Sequence, residues 1–217
     1  MNRRQPASAP PEATPVVFVV DDDEELRLAL DNLFRSVGLQ AKLFGSAAEF
    51  LKASPADAPC CLVLDIRLPG VSGLEFQGQL ARAGIDLPIV FMTGHGDVPM
   101  SVRAMKAGAV DFLTKPFRDQ DMLDAVSSAI EADRQRRAVA EAARGVRARF
   151  ESLSPREREV MTLVTRGLMN KQVAGELGLS EITVKLYRAQ AMRKMEAGTL
   201  ADLVRMAEQL ALHGTRA

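Results

Sequence analysis

Six residues in the first half of the chain have types and positions that chemistry can use. Asp21 and Asp22 stand in VVFVVDDDEELRLAL, Asp65 in CCLVLDIRLPG, Thr93 and Gly94 in LPIVFMTGHG, and Lys115 in DFLTKPF. Two or three carboxylates a few ångströms apart raise one another's pKa values, and a hard divalent cation removes the conflict. Mg²⁺ suits such a place, since it takes oxygen ligands, keeps several waters, and is usually held by one or two carboxylates together with phosphate oxygens. A lysine ammonium, a threonine hydroxyl and the backbone amide beside it are donors for the three equatorial oxygens of a phosphoryl group. The implied chemistry is phosphoryl handling at a cation site.

Those residues need elements that bring them together. Apolar, β-rich runs recur as VVFVV from residue 16, AKLF from 41, CLVLD from 61, LPIVFM from 87 and AVDFL from 109, with helical patterns such as DEELRLALDNLFRSV and DVPMSVRAMKAG between them. Five alternations predict an α/β fold with a five-stranded parallel, doubly wound sheet covered by helices on both faces. In such sheets ligands bind beyond the carboxyl ends of the strands, near the topological switch point, where all six residues fall. Singly, each has an ordinary explanation: an aspartate after a strand often caps a helix, and a Lys-Pro pair often makes a turn. Asp23, Glu24 and Glu25 fit that explanation, as carboxylates complementing a helix dipole. Four strands aiming polar groups at one rim do not.

The chain has 217 residues, 47 % of them hydrophobic, which suits two modest domains better than one. No apolar run approaches the length of a membrane span, and MNRRQPASAPPEATP is too polar and proline-rich for a signal sequence, so a soluble cytoplasmic protein with no membrane partner is expected. Strand alternation sends Cys60 and Cys61 to opposite faces, as buried thiols rather than a bridge or metal pair. Formal net charge is zero, yet residues 16–117 hold 13 acidic and 9 basic side chains while residues 150–217 hold 8 and 10. The two halves should meet different partners.

From 118 to 153 the pattern is helical and proline-free, with an apolar stripe of Met122, Ala125, Val126, Ala129 and Ile130 for packing on the sheet. A thinner stripe of Val139, Ala143, Val146 and Phe150 belongs to a mostly solvated connector, with Gly145 its weak point. Beyond it, four short helices are expected. Ser154 and Glu157 form a capping box with Pro155 at the first helical position, and Gly167 ends that helix. Ala174, Gly178 and Val184 have helix-turn-helix spacing, with Ser180 capping the second helix, residues 181–195. On it Val184, Ala191 and Met195 face inward, and Lys185, Leu186, Ala189 and Arg193 largely outward. The boundaries expected are a disordered tail over 1–15, an α/β domain over 16–130, a helical linker over 131–149 and an all-α four-helix domain over 150–217.

VVDDDEELR, LVLDIRLPGVSGLEF and FMTGHGDVPMSVRAMKAGAVDFLTKPF resemble the receiver domain of two-component response regulators, whose fold is flavodoxin-like. Residues 150–217 are similar to the LuxR-type helix-turn-helix domain, and together they most resemble the FixJ and StyR group. The resemblance implies that Asp65 is the phosphoacceptor, taking a phosphoryl group from a sensor histidine kinase. Asp21, Asp22, Asp65 and the Arg67 backbone carbonyl would serve Mg²⁺, while Thr93, Gly94 and Lys115 hold the phosphoryl group. Thr93 and Phe112 match the family's switch pair, and a cis bond before Pro116 would turn Lys115 into the pocket. His95 and the Arg67 side chain stand near where water would attack the acyl phosphate. On DNA, Lys185, Leu186 and Ala189 would approach base edges, with Lys171, Thr183, Arg188 and Arg193 holding phosphates. Tyr187 and Ala189 depart from the family's common residues, so the operator is not inferable.

The function expected is a phosphorylation-switched transcription factor, not an enzyme, with a sensor histidine kinase, promoter DNA and RNA polymerase as partners. A homodimer would form through a face including Val98, Val102, Met105 and Val110. Two other readings compete: a phosphotransferase with an aspartyl phosphate intermediate, though its nucleophile and acid would normally share one motif after the first strand, and a phosphate-independent DNA-binding adaptor with a vestigial pocket.

Overall fold

The computed structural model describes residues 13–53, 56–94 and 98–212, the side chain of Val98 excepted. The expected tail therefore lies almost wholly outside the described residues. The chain divides into two compact units, Met1–Arg137 and Ala138–Ala217.

In the first unit the order is β1 (Val16–Val20), α1 (Glu24–Ser36), β2 (Gln40–Phe44), α2 (Ala47–Phe50), β3 (Cys60–Asp65), β4 (Arg67–Leu68), β5 (Val71–Ser72), α3 (Gly73–Arg82), β6 (Ile89–Thr93), α4 (Val98–Lys106), β7 (Asp111–Thr114) and α5 (Asp119–Glu151). Five strands form one parallel sheet in the order β2-β1-β3-β6-β7, so the order in which strands are added reverses between β1 and β3. These two strands and β6 are buried along their whole length, as expected of strands covered on both faces.

Alternation sorts their side chains into two cores. Phe18, Leu62, Leu64 and Phe91 pack with Phe50 of α2, Phe76 and Leu80 of α3 and Ala104 of α4. Val17, Val19, Val63, Val90 and Met92 pack with Leu30 and Phe34 of α1 and with Met122, Ala125, Val126, Ala129 and Ile130 of α5. Cys60 and Cys61 fall on opposite sides as free, buried thiols.

Helix α5 stays on the sheet past residue 130. Asp133 is fully buried, its Oδ2 accepting from the Cys60 amide at 2.9 Å, with Arg136 and Arg137 pairing to the same carboxylate. Burial works to raise its pKa, but the two guanidiniums and the amide outweigh that and hold it low.

The second unit packs the end of α5 with α6 (Pro155–Thr165), α7 (Asn170–Leu177), α8 (Glu181–Met195) and α9 (Leu200–Gln209). Val146 is buried and Phe150 half-buried against Met161, Ala191, Met195 and Leu203. The thinner stripe of the connector is thus covered at its lower end by the unit it precedes, and residues 138–144 are its exposed stretch. Ser154 and Glu157 form the capping box, Pro155 opens α6, and Gly167 follows that helix with φ 93°. Among the described residues no helix is long and apolar enough to cross a membrane.

Candidate functional site

Asp21 leaves β1, Asp65 ends β3, Thr93 ends β6 and Lys115 follows β7, so the sheet carries four of the expected residues to one rim. The rim lies at the reversal between β1 and β3, where an open α/β sheet leaves a crevice. Asp21, Asp65 and Thr93 are buried, Lys115 is half-buried, and Asp22 and Gly94 are exposed. Of the five consecutive acidic residues, Asp23 is a helix cap, accepting from the Glu25 and Leu26 amides, and Glu24 and Glu25 fill the first turn of α1. The other two face the rim.

Lys115 joins the buried carboxylates. Its Nζ donates to Asp21 Oδ2 at 2.6 Å and to Asp65 Oδ2 at 2.7 Å, and the Lys115–Pro116 bond is cis. The remaining oxygens are oriented by backbone: the Asp23 amide donates to Asp21 Oδ1 at 2.9 Å, and the Arg67 amide donates to Asp65 Oδ1 at 2.9 Å. Burial pushes the Asp21 carboxyl above its ordinary range, with Asp65 adding to the rise and Lys115 and the Asp23 amide opposing it. For Lys115 burial pulls downward, but bonding to Asp21 and Asp65 prevails and its pKa is raised.

Oxygens of Asp21, Asp22 and Asp65 lie within 4.8 Å of one another, and Lys115 is the cation bonded among them. Three carboxylates against one ammonium leave excess negative charge in a partly desolvated place. All the side-chain donors are hard oxygens, so the residues fit a small divalent cation.

Two features of the rim escaped the sequence reading. Gly73 opens α3 so close to β3 that a Cβ there would lie 2.6 Å from the Asp65 carbonyl oxygen and 2.8 Å from Ile66 Cα. Only glycine lets that helix start against the strand holding Asp65; the available signal was the glycine just after the VS of VSGLEF. Arg27, one turn into α1, donates from Nη1 to the Asp21 carbonyl at 2.5 Å. It reads in sequence as an ordinary surface arginine.

Around the rim, Phe112 is half-buried in the core beneath α3 and α4, beside Phe91 on β6. The Arg67 side chain is exposed, and His95 lies outside the described residues. On α4, Val102 and Met105 are 44 % and 45 % exposed. Val110, expected beside them, instead packs half-buried into the opposite core, since the residue after Ala109 alternates to the other face.

In the second unit Gly178 has φ 65° and ends α7, and Ser180 caps α8 through the Thr183 amide. Val184, Ala191 and Met195 are buried, whereas Lys185, Leu186, Ala189 and Arg193 are exposed, as is Lys171 on α7. The other two DNA candidates each make a contact within the unit. The half-buried Arg188 donates to Asn170 Oδ1 at 3.3 Å, and the Thr183 hydroxyl pairs with that of Ser180.

An acidic rim on a parallel five-stranded sheet thus shares one chain with a helix-turn-helix unit. Residues 17–127 match the response regulator receiver domain, and residues 151–207 match the luxR family of bacterial regulatory proteins. Nodulation protein W of Bradyrhizobium diazoefficiens is 60 % identical over 197 residues, 91 % of this chain and 87 % of that one. The response regulator protein TodT of Pseudomonas putida is 47 % identical over 195 residues, 90 % of this chain and 86 % of its own. A low-resolution structure of the response regulator StyR superposes with a TM-score of 0.80 at 48 % identity, covering 91 % of this chain and all of that one. The chain belongs to the two-component response regulators that join a receiver to a LuxR-type DNA-binding domain, the FixJ and StyR group, a family of transcription regulators.

Proposed function

We propose that Asp65 accepts a phosphoryl group from the phosphohistidine of a sensor kinase, and that this modification switches dimerisation and DNA binding. In the transfer a carboxylate oxygen of Asp65 forms a bond to phosphorus as the P–N bond to the histidine breaks. Asp21, Asp22, Asp65 and the Arg67 carbonyl would hold Mg²⁺, which when bound supplies positive charge to the phosphoryl oxygens. Lys115 bonds one oxygen of Asp65 and can shift its ammonium to the incoming group, while the Arg67 amide keeps the other oxygen oriented. Thr93 and the Gly94 amide are the remaining donors, and Phe112 is the aromatic partner that follows the Thr93 hydroxyl.

The observation that carries this reading is the pair of ion-paired hydrogen bonds from Lys115 to Asp21 and Asp65, at 2.6 and 2.7 Å, within a cluster of three carboxylates. The exposed Val102 and Met105 on α4 support a dimer face there. Dimerisation would pair two small reading heads and raise the effective concentration of each at its half-site. The protein would act in the cytoplasm, on promoter DNA and alongside RNA polymerase.

Intact-mass measurement after incubation with acetyl phosphate and Mg²⁺ tests the reading. One phosphoryl group should be gained, with a rise in dimer, and Asp65→Asn should gain none and remain monomeric. Undiminished labelling or dimerisation in Asp65→Asn would overturn it.

A further inference from the structure

The exposed face of α8 is centred on a residue that a search for polar contacts passes over. Successive residues of a helix turn by about 100°. By that rule Ile182, Lys185, Leu186, Ala189 and Arg193 fall within an arc of about 100°, with Ile182 near its middle and the buried Val184, Ala191 and Met195 opposite. Ile182 is 80 % exposed and Leu186, one turn on, is 56 % exposed. Ile182 belongs to neither apolar cluster of its unit.

With Ala189 the two make an apolar strip along about 10 Å of helix axis, the length of roughly three base steps. Scattered surface isoleucines need no explanation. This one is aligned with a second large apolar side chain and flanked by Lys185 and Arg193, with no carboxylate among the five positions. A strip that is apolar over two turns, with Lys185 along one side and Arg193 at its C-terminal end, suits a polyanion whose readable edge carries apolar groups. In the major groove of DNA that group is the C5 methyl of thymine.

We propose that Ile182, together with Leu186 and Ala189, reads thymine methyl groups in the major groove. Site selection then depends on apolar contact with thymines at successive base steps, and Lys185 is the polar reader beside them. The inference rests on the DNA-binding reading above and adds to it a residue and the base feature it recognises.

The test uses the full chain activated with beryllofluoride and Mg²⁺. A duplex is selected from a random pool, and affinity is measured on it and on versions in which single thymines are replaced by deoxyuridine, which lacks only the methyl. At one or more positions per half-site the replacement should weaken wild-type binding about fourfold, the worth of burying one methyl-sized group. Ile182→Ala should bind the thymine duplex less tightly, lose sensitivity to deoxyuridine at one of those positions, and keep wild-type affinity and salt slope on unrelated DNA. Deoxyuridine without effect at every position, or an Ile182→Ala variant as sensitive as wild type throughout, overturns the inference while DNA binding stands. A change in the oligomeric mass of Ile182→Ala without DNA would make the strip a protein interface and overturn it likewise. An activated chain that selects no sequence breaks the underlying reading of the domain itself.

Discussion

The acidic rim gathers side chains from the ends of four strands, whereas the exposed face of α8 comes from one helix. At the rim Lys115 reaches Asp21 and Asp65 across 94 and 50 residues of sequence, and the carboxylates it joins are buried. On α8 the outward residues are three or four apart and in water. A converging, desolvated group of charges tolerates little displacement, because removing one member leaves another unpaired where solvent cannot compensate. An exposed helical face loses its contacts one at a time. Substitutions at the rim should therefore give large, coupled effects, and those on the DNA-binding unit small, separable ones.

The largest effect on stability is expected from Gly73→Ala. Its Cβ would meet backbone atoms of Asp65 and Ile66, which cannot swing aside as a flexible side chain would. Overpacking of this kind costs about 1–3 kcal/mol, and urea denaturation of the full chain should find it. Phosphorylation should slow in the same variant, because Asp65 is the residue displaced. A neutral Gly73→Ala would break the picture of a tightly determined rim.

Asp21→Asn should act in the opposite direction. Burial raises the Asp21 pKa, so its charged form is disfavoured by folding. Its contribution to stability is then fully present below its unfolded value of 3.8 and is lost as pH rises through the higher folded value. With chelator present, Asp21→Asn should raise the stability of the first unit at neutral pH and flatten the slope of stability against pH. Magnesium should stabilise the wild type more than the variant. An unchanged pH slope would show that the rim is less desolvated than its burial implies.

The smallest effect belongs to the DNA-binding unit. Lys171→Ala should weaken binding to all sequences alike and reduce the salt slope of log affinity by about 1, as loss of one phosphate contact does. A change of preferred sequence in Lys171→Ala would blur the division between the residues proposed to hold phosphates and those proposed to read bases.

Much of this arrangement could be read from the chain. Strands with continuous apolar runs announced a sheet buried on both faces, and that placed Asp21, Asp65, Thr93 and Lys115 at strand ends. Capping chemistry was equally local, so Ser154 with Glu157, Gly178 and Ser180 stand where their sequence neighbours implied. The alternation at Ala109 and Val110 was legible too, but grouping Val110 with the exposed residues of α4 ignored it. The contact of Arg188 with Asn170, 18 residues away across the turn, was not legible, because it depends on how α7 and α8 pack.

What the sequence determined by itself rests on interactions within a few residues: the period of the apolar pattern, the caps, the turns, and the order of the five strands' terminal groups along the chain. Only the tertiary structure decided that Gly73 must lie against Asp65, that Asp133 of a distant helix ties to the start of β3, and that Ile182 is left in water. Each of these depends on which surfaces meet once strands and helices pack, and packing is set by many weak contacts between segments far apart in the chain, which no local pattern encodes.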